Sequence, residues 1–588
     1  MKYCGLGQKG YNIMKKILIN GKIYTENKLQ PWAEAVAIED KHFACVGSTK
    51  EVRAYAKFHW GEDFETVDLG GRTVLPGLIE GHTHPAMMSK TAWVLHGKDS
   101  ETEDEMYEDI KKFAELYPKE KRPYFDYTRY LNEWYGPEGP NNKRLNEIIN
   151  DRPARIEDNS GHGCLYNDIA LEMLKDENGI PRNSSLLANF VKDENGNYTG
   201  WAQQALAFGD TGVFEKCGFA YPDAMNDELS LDFLDTFRHY GITVCMDGIT
   251  ETDGDLQYLY DKDMKGELNM HYEATTVLSD VSEESIEKTI ATVRERQKKY
   301  TTDHIRCNII KYFVDGSIEF GDVLTVDPFS SDPEGKNCGF AHCSTEEMTN
   351  LMVRLNKERL DLHVHCVSDG SLRLMCDACE AAQKICGDDW CIYVTVAHCE
   401  IIHPDEIHRI HQLGMFMDTT PIWSGMGSAS HMTQLGYDRW RRLHDYTQII
   451  ADGEHVGFSS DVIESIEMYL LNPFTGIQVG MTRLFPGDTD EVDHDRYYED
   501  GGRPPVSARL TLAQMLHGYS VTNAIRMRLI DRLGSIEVGK DANLVVLHDD
   551  IFTTPADKIM RIEVDFTYFE GKELHAPNPV PAEKYMVE

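Results

Sequence analysis

Eight short apolar runs, rich in β-branched residues and separated by helix-like stretches, constrain this chain more than any other feature. They are Val74–His82, Ile242–Asp247, Met270–Val277, Cys307–Asp315, Leu362–Val367, Ile392–His398, Met415–Asp418 and His455–Asp461. Strands that alternate with helices pair in parallel, because a parallel neighbour is reached only through a crossover. Eight such units predict an α/β fold, a (β/α)8 TIM-like barrel. A ninth run, Ala154-Arg-Ile-Glu157, is assigned instead to a long insertion after barrel strand 1, at about residues 90–235. That stretch far exceeds one crossover helix and carries turn punctuation in Tyr135-Gly-Pro-Glu-Gly-Pro-Asn-Asn142. It is expected over the barrel mouth, where loops shape a site.

The two ends have a different texture. Lys16-Ile-Leu-Ile-Asn-Gly-Lys-Ile-Tyr24 carries an Asn-Gly hairpin signal, and Gly534-Ser-Ile-Glu-Val-Gly-Lys-Asp-Ala542 leads into further strands. These ends predict one small β-sandwich built from residues 14–73 and 534–588, flanking a barrel at 74–533. Residues 1–13 read as a flexible extension.

Composition narrows the partners. Lys+Arg 59 against Asp+Glu 98 gives a net charge of −39, which argues against nucleic acid and anionic membrane as partners. No apolar run approaches a transmembrane length. The first residues lack the apolar core of a signal peptide, and the 14 Cys are scattered. The expectation is a cytoplasmic protein with reduced thiols.

In a barrel of this type, chemistry sits at the carboxyl ends of the strands. Those ends carry His82 and His84, Lys311, His365, His398 and Asp461. His82 and His84 are two residues apart on a strand and point to one face, so they can grip one metal ion. Alone, such a spacing arises by chance. Four His, a Lys and an Asp at the correct ends of five strands are harder to dismiss. His363 shares the parity of His365 one layer deeper. It reads as packing or support, with a His363/His365 chelate left open.

Several words of the chain match one family. They are Pro76-Gly-Leu-Ile-Glu-Gly-His-Thr-His84, Lys311-Tyr-Phe-Val-Asp-Gly-Ser317, His365-Cys-Val-Ser-Asp369, Ala397-His-Cys-Glu400, Ser459-Ser-Asp461 and Arg509-Leu-Thr-Leu-Ala-Gln514. In order and rough spacing the chain resembles the amidohydrolase superfamily, in the branch called amidohydrolase family 3. The resemblance implies one or two divalent metal ions, commonly Zn2+. His82, His84 and Asp461 would hold one, His365 and His398 the second. Lys311 matches a position that in several members is N6-carboxylated and bridges the metals. The alternative for Lys311 is a buried ammonium paired with Asp315 or another acid. The implied reaction is hydrolysis of a non-peptide C–N bond (an amide, cyclic amide or N-acyl or N-formyl small molecule) by a metal-bound hydroxide. Asp461 would act as general base and then acid. A deaminase on the same scaffold, which usually lacks the bridging lysine, and a non-catalytic scaffold protein are the competing readings.

The segment Asp158-Asn-Ser-Gly-His-Gly-Cys-Leu-Tyr-Asn-Asp168 resembles one whose His reaches the active site. His162 is therefore expected to contact substrate, with Tyr312 and Trp201 as further pocket residues. Asp369 could accept from a ligand imidazole or serve as a helix N-terminal acid. Glu80 stands where Asp is commoner. A homodimer is the oligomeric state that related enzymes often show. The small-molecule substrate itself is not legible in these patterns.

Overall fold

The computed structural model describes residues 14–91, 95–96, 100, 102–120, 122–135, 138–159, 163–180, 189–203, 224–250, 252–485 and 492–574. The extension 1–13 and His162 lie outside the described residues. The chain divides into two compact units. One lies within residues 1–84, 234–462 and 470–579, the other within 85–233 and 463–469.

The first unit contains the barrel sheet. Its strands are β1 (Leu78–Thr83), β2 (Ile242–Asp247), β3 (His271–Val277), β4 (Ile305–Phe313), β5 (Asp361–Cys366), β6 (Val394–His398), β7 (Phe416–Thr419) and β8 (Val456–Phe458). They lie side by side in chain order, and each pairs in parallel with the next. The segment after β8 closes the circle against β1. The Asp461 amide donates to the His82 carbonyl at 2.8 Å, and the His84 amide to the Val462 carbonyl at 3.0 Å. Residues of β2 and β6 are buried throughout, which is why these strands read as continuous apolar runs rather than alternating ones. The intervening helices begin on strong caps. Ser344 with Glu347 opens Thr345–Glu358, and Thr252 with Asp255 opens Asp253–Met264, each as a reciprocal capping box.

Two expectations about the strands change. The run Val74–His82 is not one strand. It breaks at Pro76-Gly77, and Thr73–Pro76 leaves the barrel to pair antiparallel with Leu544–Leu547, Leu75 facing Val545. A Cβ on Gly77 would strike the Thr243 side chain, so the chain can pass β2 here only as glycine. The Asn20-Gly21 turn is not a hairpin either. Lys15–Ile19 joins a four-stranded sheet with Ala35–Glu39, His42–Gly47 and Glu65–Asp68. Lys22–Tyr24 instead joins a six-stranded sheet with Trp32–Ala33, Thr73–Pro76 and three C-terminal strands, Leu544–Leu547, Val564–Phe569 and Lys572–Leu574. Asn20 takes the left-handed conformation (φ 57°), and Gly21 has no room for a Cβ, which would meet Leu69 Cδ1 at 2.6 Å. The turn thus hands the chain from one sheet to the other. Leu18, Val36 and Ile38 of the first sheet and Ile23, Val74, Leu544 and Val546 of the second bury into one apolar cluster.

The second unit has a core of its own. Its sheet runs Asn189–Lys192, Tyr198–Gln203, Gly163–Tyr166, Ala154–Asp158, Phe125–Tyr130 and Leu95–His96. The ninth run is therefore a strand of the insertion, as expected. Tyr107, Ile110, Phe113, Phe125, Tyr127 and Ile156 fill its interior. A buried ion pair, Arg155 Nε to Asp126 Oδ1 at 2.9 Å, ties two adjacent strands.

Candidate metal centre

The carboxyl ends of the barrel strands bring the predicted side chains together. β1 delivers His82 and, one step past its end, His84. The loop after β8 delivers Asp461. His84 Nε2 lies 3.0 Å from Asp461 Oδ1, and His82 Nε2 lies 3.6 Å from the same oxygen. β4 delivers Lys311, whose Nζ is 3.3 Å from His82 Nε2. β6 delivers His398, with Nδ1 3.6 Å from Asp461 Oδ2. His365 on β5 packs ring to ring on His398, centroids 4.4 Å apart, and its Nε2 lies 3.0 Å from the Gly316 carbonyl. Asp461 and His398 both hold left-handed backbone, φ 52° and 73°. Such strain at non-glycine residues collects at functional sites. β1 and β2 also slip register twice where they pair, and bulges of this kind re-aim side chains.

Burial sets the protonation states. It drives the imidazoles of His82, His363 and His398 well below their ordinary pKa, so they stand neutral. Neutral imidazole is the form that ligates. Burial also pushes the Lys311 ammonium down to about 8. Burial opposes the charge of Asp461 too, but His82, His84 and Lys311 together hold its carboxyl below the ordinary value. His82, His84 and Asp461 offer one ligand atom each within 4.8 Å of one another. His84 Nδ1 is buried with no hydrogen-bond partner among the described residues. This donor set of two imidazoles and a carboxylate suits a divalent transition metal.

A supporting layer lies beneath. His82 Nδ1 is 3.2 Å from Asp418 Oδ2 at the end of β7. Arg526 holds the other carboxylate oxygen at 3.1 Å and donates to the Gly81 carbonyl at 2.6 Å. His363 Nε2 approaches His82 Nδ1 at 3.3 Å. His363 is thus packed under His82 and is not a chelating partner of His365. Glu80 accepts from the amides of Ser460 and His82 at 2.9 and 3.2 Å, and burial raises its carboxyl to about 8. Asp315 does not pair with Lys311. Its carboxylate accepts from the Val367 and Ser368 amides at 2.9 and 3.2 Å. Asp369 opens the helix Asp369–Cys386 and accepts from the Val326 amide at 3.0 Å, so it secures a loop and not an imidazole. The same helix holds Cys376 and Cys379 at C-x-x-C spacing, but both thiols are buried, and burial pushes Cys379 up to about 12.

The expected pocket residues fare differently. Tyr312 alternates with Lys311 and Phe313 along β4, so its ring leaves the barrel interior. Its hydroxyl lies 3.5 Å from the His342 carbonyl. Phe313 holds the interior place, against His365 at 5.1 Å. Trp201 packs on the insertion's own core beside Gly139. Sequence reasoning also missed Trp423, whose ring stacks on His398 at 5.3 Å and 22°. Asp418, Arg526 and Gly248 were missed as well. For Asp418 the signal was present, since it is a charged residue closing a buried run.

A further group, His271, Asp541 and Glu570, lies at the amino-terminal end of the barrel. Here Arg532 sits 2.7 Å from Asp541 and Lys41 sits 3.5 Å from Glu570. These cations already neutralise the carboxylates, so the group is an ion-pair network.

Residues 65–575 match the model of the Amidohydrolase family, and the chain belongs to that family. It is 21% identical over 584 residues to the N-substituted formamide deformylase of Arthrobacter pascens, covering 94% of this chain and 97% of that protein. It is 23% identical over 442 residues to the exoenzymes regulatory protein AepA of Pectobacterium carotovorum subsp. carotovorum, covering 74% and 91%. Among solved structures, an uncharacterized metal-dependent hydrolase from Pyrococcus furiosus superposes with a TM-score of 0.64 at 18% identity, over 91% of this chain and 99% of that one. None of the described helices is long and apolar enough to cross a membrane.

Proposed function

We propose that this amidohydrolase cleaves a non-peptide C–N bond of a small N-acyl or N-formyl amine or a cyclic amide. The reading rests on one observation: Asp461 stands within 3.0–3.6 Å of His84, His82 and His398 at the mouth of the barrel. His82, His84 and Asp461 would hold a divalent cation, most simply Zn2+, which would supply Lewis-acid polarisation of a carbonyl and acidify water. His365 and His398 offer donors for a second ion.

Asp461, whose carboxyl is held below its ordinary value, would serve as general base toward the attacking water and then return the proton to the leaving nitrogen. Phe313 packs against His365 and Trp423 stacks on His398. Lys311, pushed down to about 8, presents a useful fraction of neutral amine. That amine can add to CO2 and lose a proton, giving an anionic carbamate suited to bridging two cations. The name of the Arthrobacter relative places N-substituted formamides among the first substrates to try.

The test combines metal content with a substrate screen. Purified protein should contain one or two equivalents of transition metal and release formate or another acid from N-formyl and N-acyl amines. Ammonia as the first product would favour the deaminase reading. Asp461→Asn should lower kcat about 10²–10⁴-fold with metal content largely kept, since general acid–base catalysis is worth that much. Unchanged turnover would remove Asp461 from the mechanism. For Lys311, 13C NMR of protein equilibrated with labelled bicarbonate should show a carbamate carbon that is absent in Lys311→Met.

A further inference from the structure

We infer that Trp423 is a positioning residue: by stacking on His398 it fixes that imidazole for ligation, and so sets how tightly the second ion proposed above is held. The inference rests on that two-ion reading. It goes further in making one indole outside the ligand set decide whether the second ion stays.

His398 needs such a neighbour. It is the last residue of β6 and has a left-handed backbone, φ 73°, as does Cys399 after it, φ 42°. Strand alternation therefore does not direct its side chain. The terminal torsion of an imidazole is broad, so the ring turns unless something holds it. The His398 backbone is tied by the Tyr446 hydroxyl, which donates to its carbonyl at 3.1 Å. The ring packs on three others. His365 meets it at 4.4 Å and 60°, and His82 at 5.4 Å and 40°. Trp423 stacks along it at 5.3 Å and 22°, and is the one of the three outside the ligand set. The lone pairs of an imidazole lie in the ring plane, so a partner on the face restrains the ring without blocking its nitrogens. His398 Nδ1 keeps its approach to Asp461 Oδ2 at 3.6 Å.

Trp423 is itself fixed. After β7 the chain enters a short 3-10 turn, Pro421–Gly425, that opens on proline. The Trp423 amide donates to the Thr420 carbonyl, and its carbonyl accepts from the Met426 amide, each at 3.2 Å. Ile422 and Ser424 on either side are buried, and the Ser424 hydroxyl donates to the Pro421 carbonyl at 2.7 Å. Gly425 presses on the helix Pro473–Thr482 and the chain after it. A Cβ there would meet Val479 Cγ1 at 2.5 Å and the Phe485 amide nitrogen at 2.6 Å. The place of the indole is thus set by the packing of its own loop, independently of the ligands.

The test counts metal rather than turnover. Metal-replete protein would be challenged with rising dipicolinate, and the retained Zn2+ measured by plasma mass spectrometry. The parent should give up its metal in two steps. Trp423→Ala should hold one equivalent about tenfold more weakly, the scale of a stacked ring pair, with the other unchanged. Trp423→Leu, which keeps apolar bulk without a flat face, should behave as the alanine variant. Trp423→Phe, which restores a face, should behave as the parent. Circular dichroism would verify that each variant is folded, and the leucine variant carries the test where alanine does not fold. A parent holding one equivalent or none would overturn the two-ion reading and this inference together. Two equivalents held equally by the parent and the ringless variants would overturn this inference alone. So would equal weakening of both equivalents, or the same loss in Trp423→Phe as in Trp423→Leu, because a disturbed loop and not a missing ring face would then be the cause.

Discussion

At the residue scale, the candidate centre depends on two neighbours outside the proposed ligand set. Gly248 follows β2, and a Cβ there would run into His82 Nε2 and come within 2.7 Å of His84 Cε1. Gly248→Ala is expected to displace the imidazole pair and lower bound metal well below that of the parent, measured by plasma mass spectrometry, with the fold intact by circular dichroism. Asp418 acts through His82. A carboxylate on the outer nitrogen of a ligand imidazole fixes its orientation and raises its basicity. Asp418→Asn should weaken metal affinity about 10–100-fold in chelator competition, and excess metal should restore much of the activity. The gathering of these side chains at one end of the barrel was legible in the sequence. A polar side chain that ends a buried apolar run has nowhere to go except the barrel mouth, and this picked out His82, His84, Lys311, His365, His398 and Asp461. Tyr312 shows the limit: with Lys311 facing inward, alternation along β4 turns the next side chain away from the barrel interior.

At the element scale, one helical segment far along the chain completes the barrel. The helix Leu512–His517 passes through a π turn, Gly518–Thr522, into Asn523–Arg526. Such turns often mark functional positions. Asn523 Nδ2 donates to the Ile79 carbonyl of β1 and to the Phe458 carbonyl of β8, each at 2.9 Å. It thereby bridges the two strands that complete the circle. Asn523→Ala would leave two buried carbonyls unsatisfied, each worth about 1–3 kcal/mol. The expected loss of about 2–6 kcal/mol would be read by urea denaturation, with amide exchange accelerated in β1 and β8 first. Nothing in Asn523-Ala-Ile-Arg526 announces this role, since it arises from partners more than four hundred residues away for Ile79 and sixty-five away for Phe458.

At the scale of the whole molecule, the base of the barrel and the sheet containing both chain ends are joined by charge. His304, just before β4, lies 2.6 Å from Asp263 and 3.2 Å from Glu570. Burial opposes its charge, but the hydrogen bonds to these two carboxylates outweigh it and raise the imidazolium to about 9 from an ordinary 6.5. The folded state therefore holds this proton more tightly than the unfolded chain does. The stabilisation is full below about pH 6.5 and is lost as pH rises through about 9. Discounted for partial contact with water, it is worth on the order of 1 kcal/mol. Thermal unfolding from pH 6 to 10 should show Tm falling across that window, and His304→Gln should flatten this component. Equal slopes in the two proteins would refute the assignment.

The sequence by itself determined the eight-stranded barrel, its parallel order and the strand ends at which His82, Lys311, His365 and His398 stand. These follow from periodicity and burial, which are local properties repeated eight times. Tertiary structure alone decided that Asn20-Gly21 links two sheets, that Thr73–Pro76 leaves the barrel for a C-terminal strand, and that Asp418, Arg526, Asn523 and Gly248 support the centre. Each of these depends on a partner distant in sequence, and a chain read residue by residue carries no record of what will pack against it.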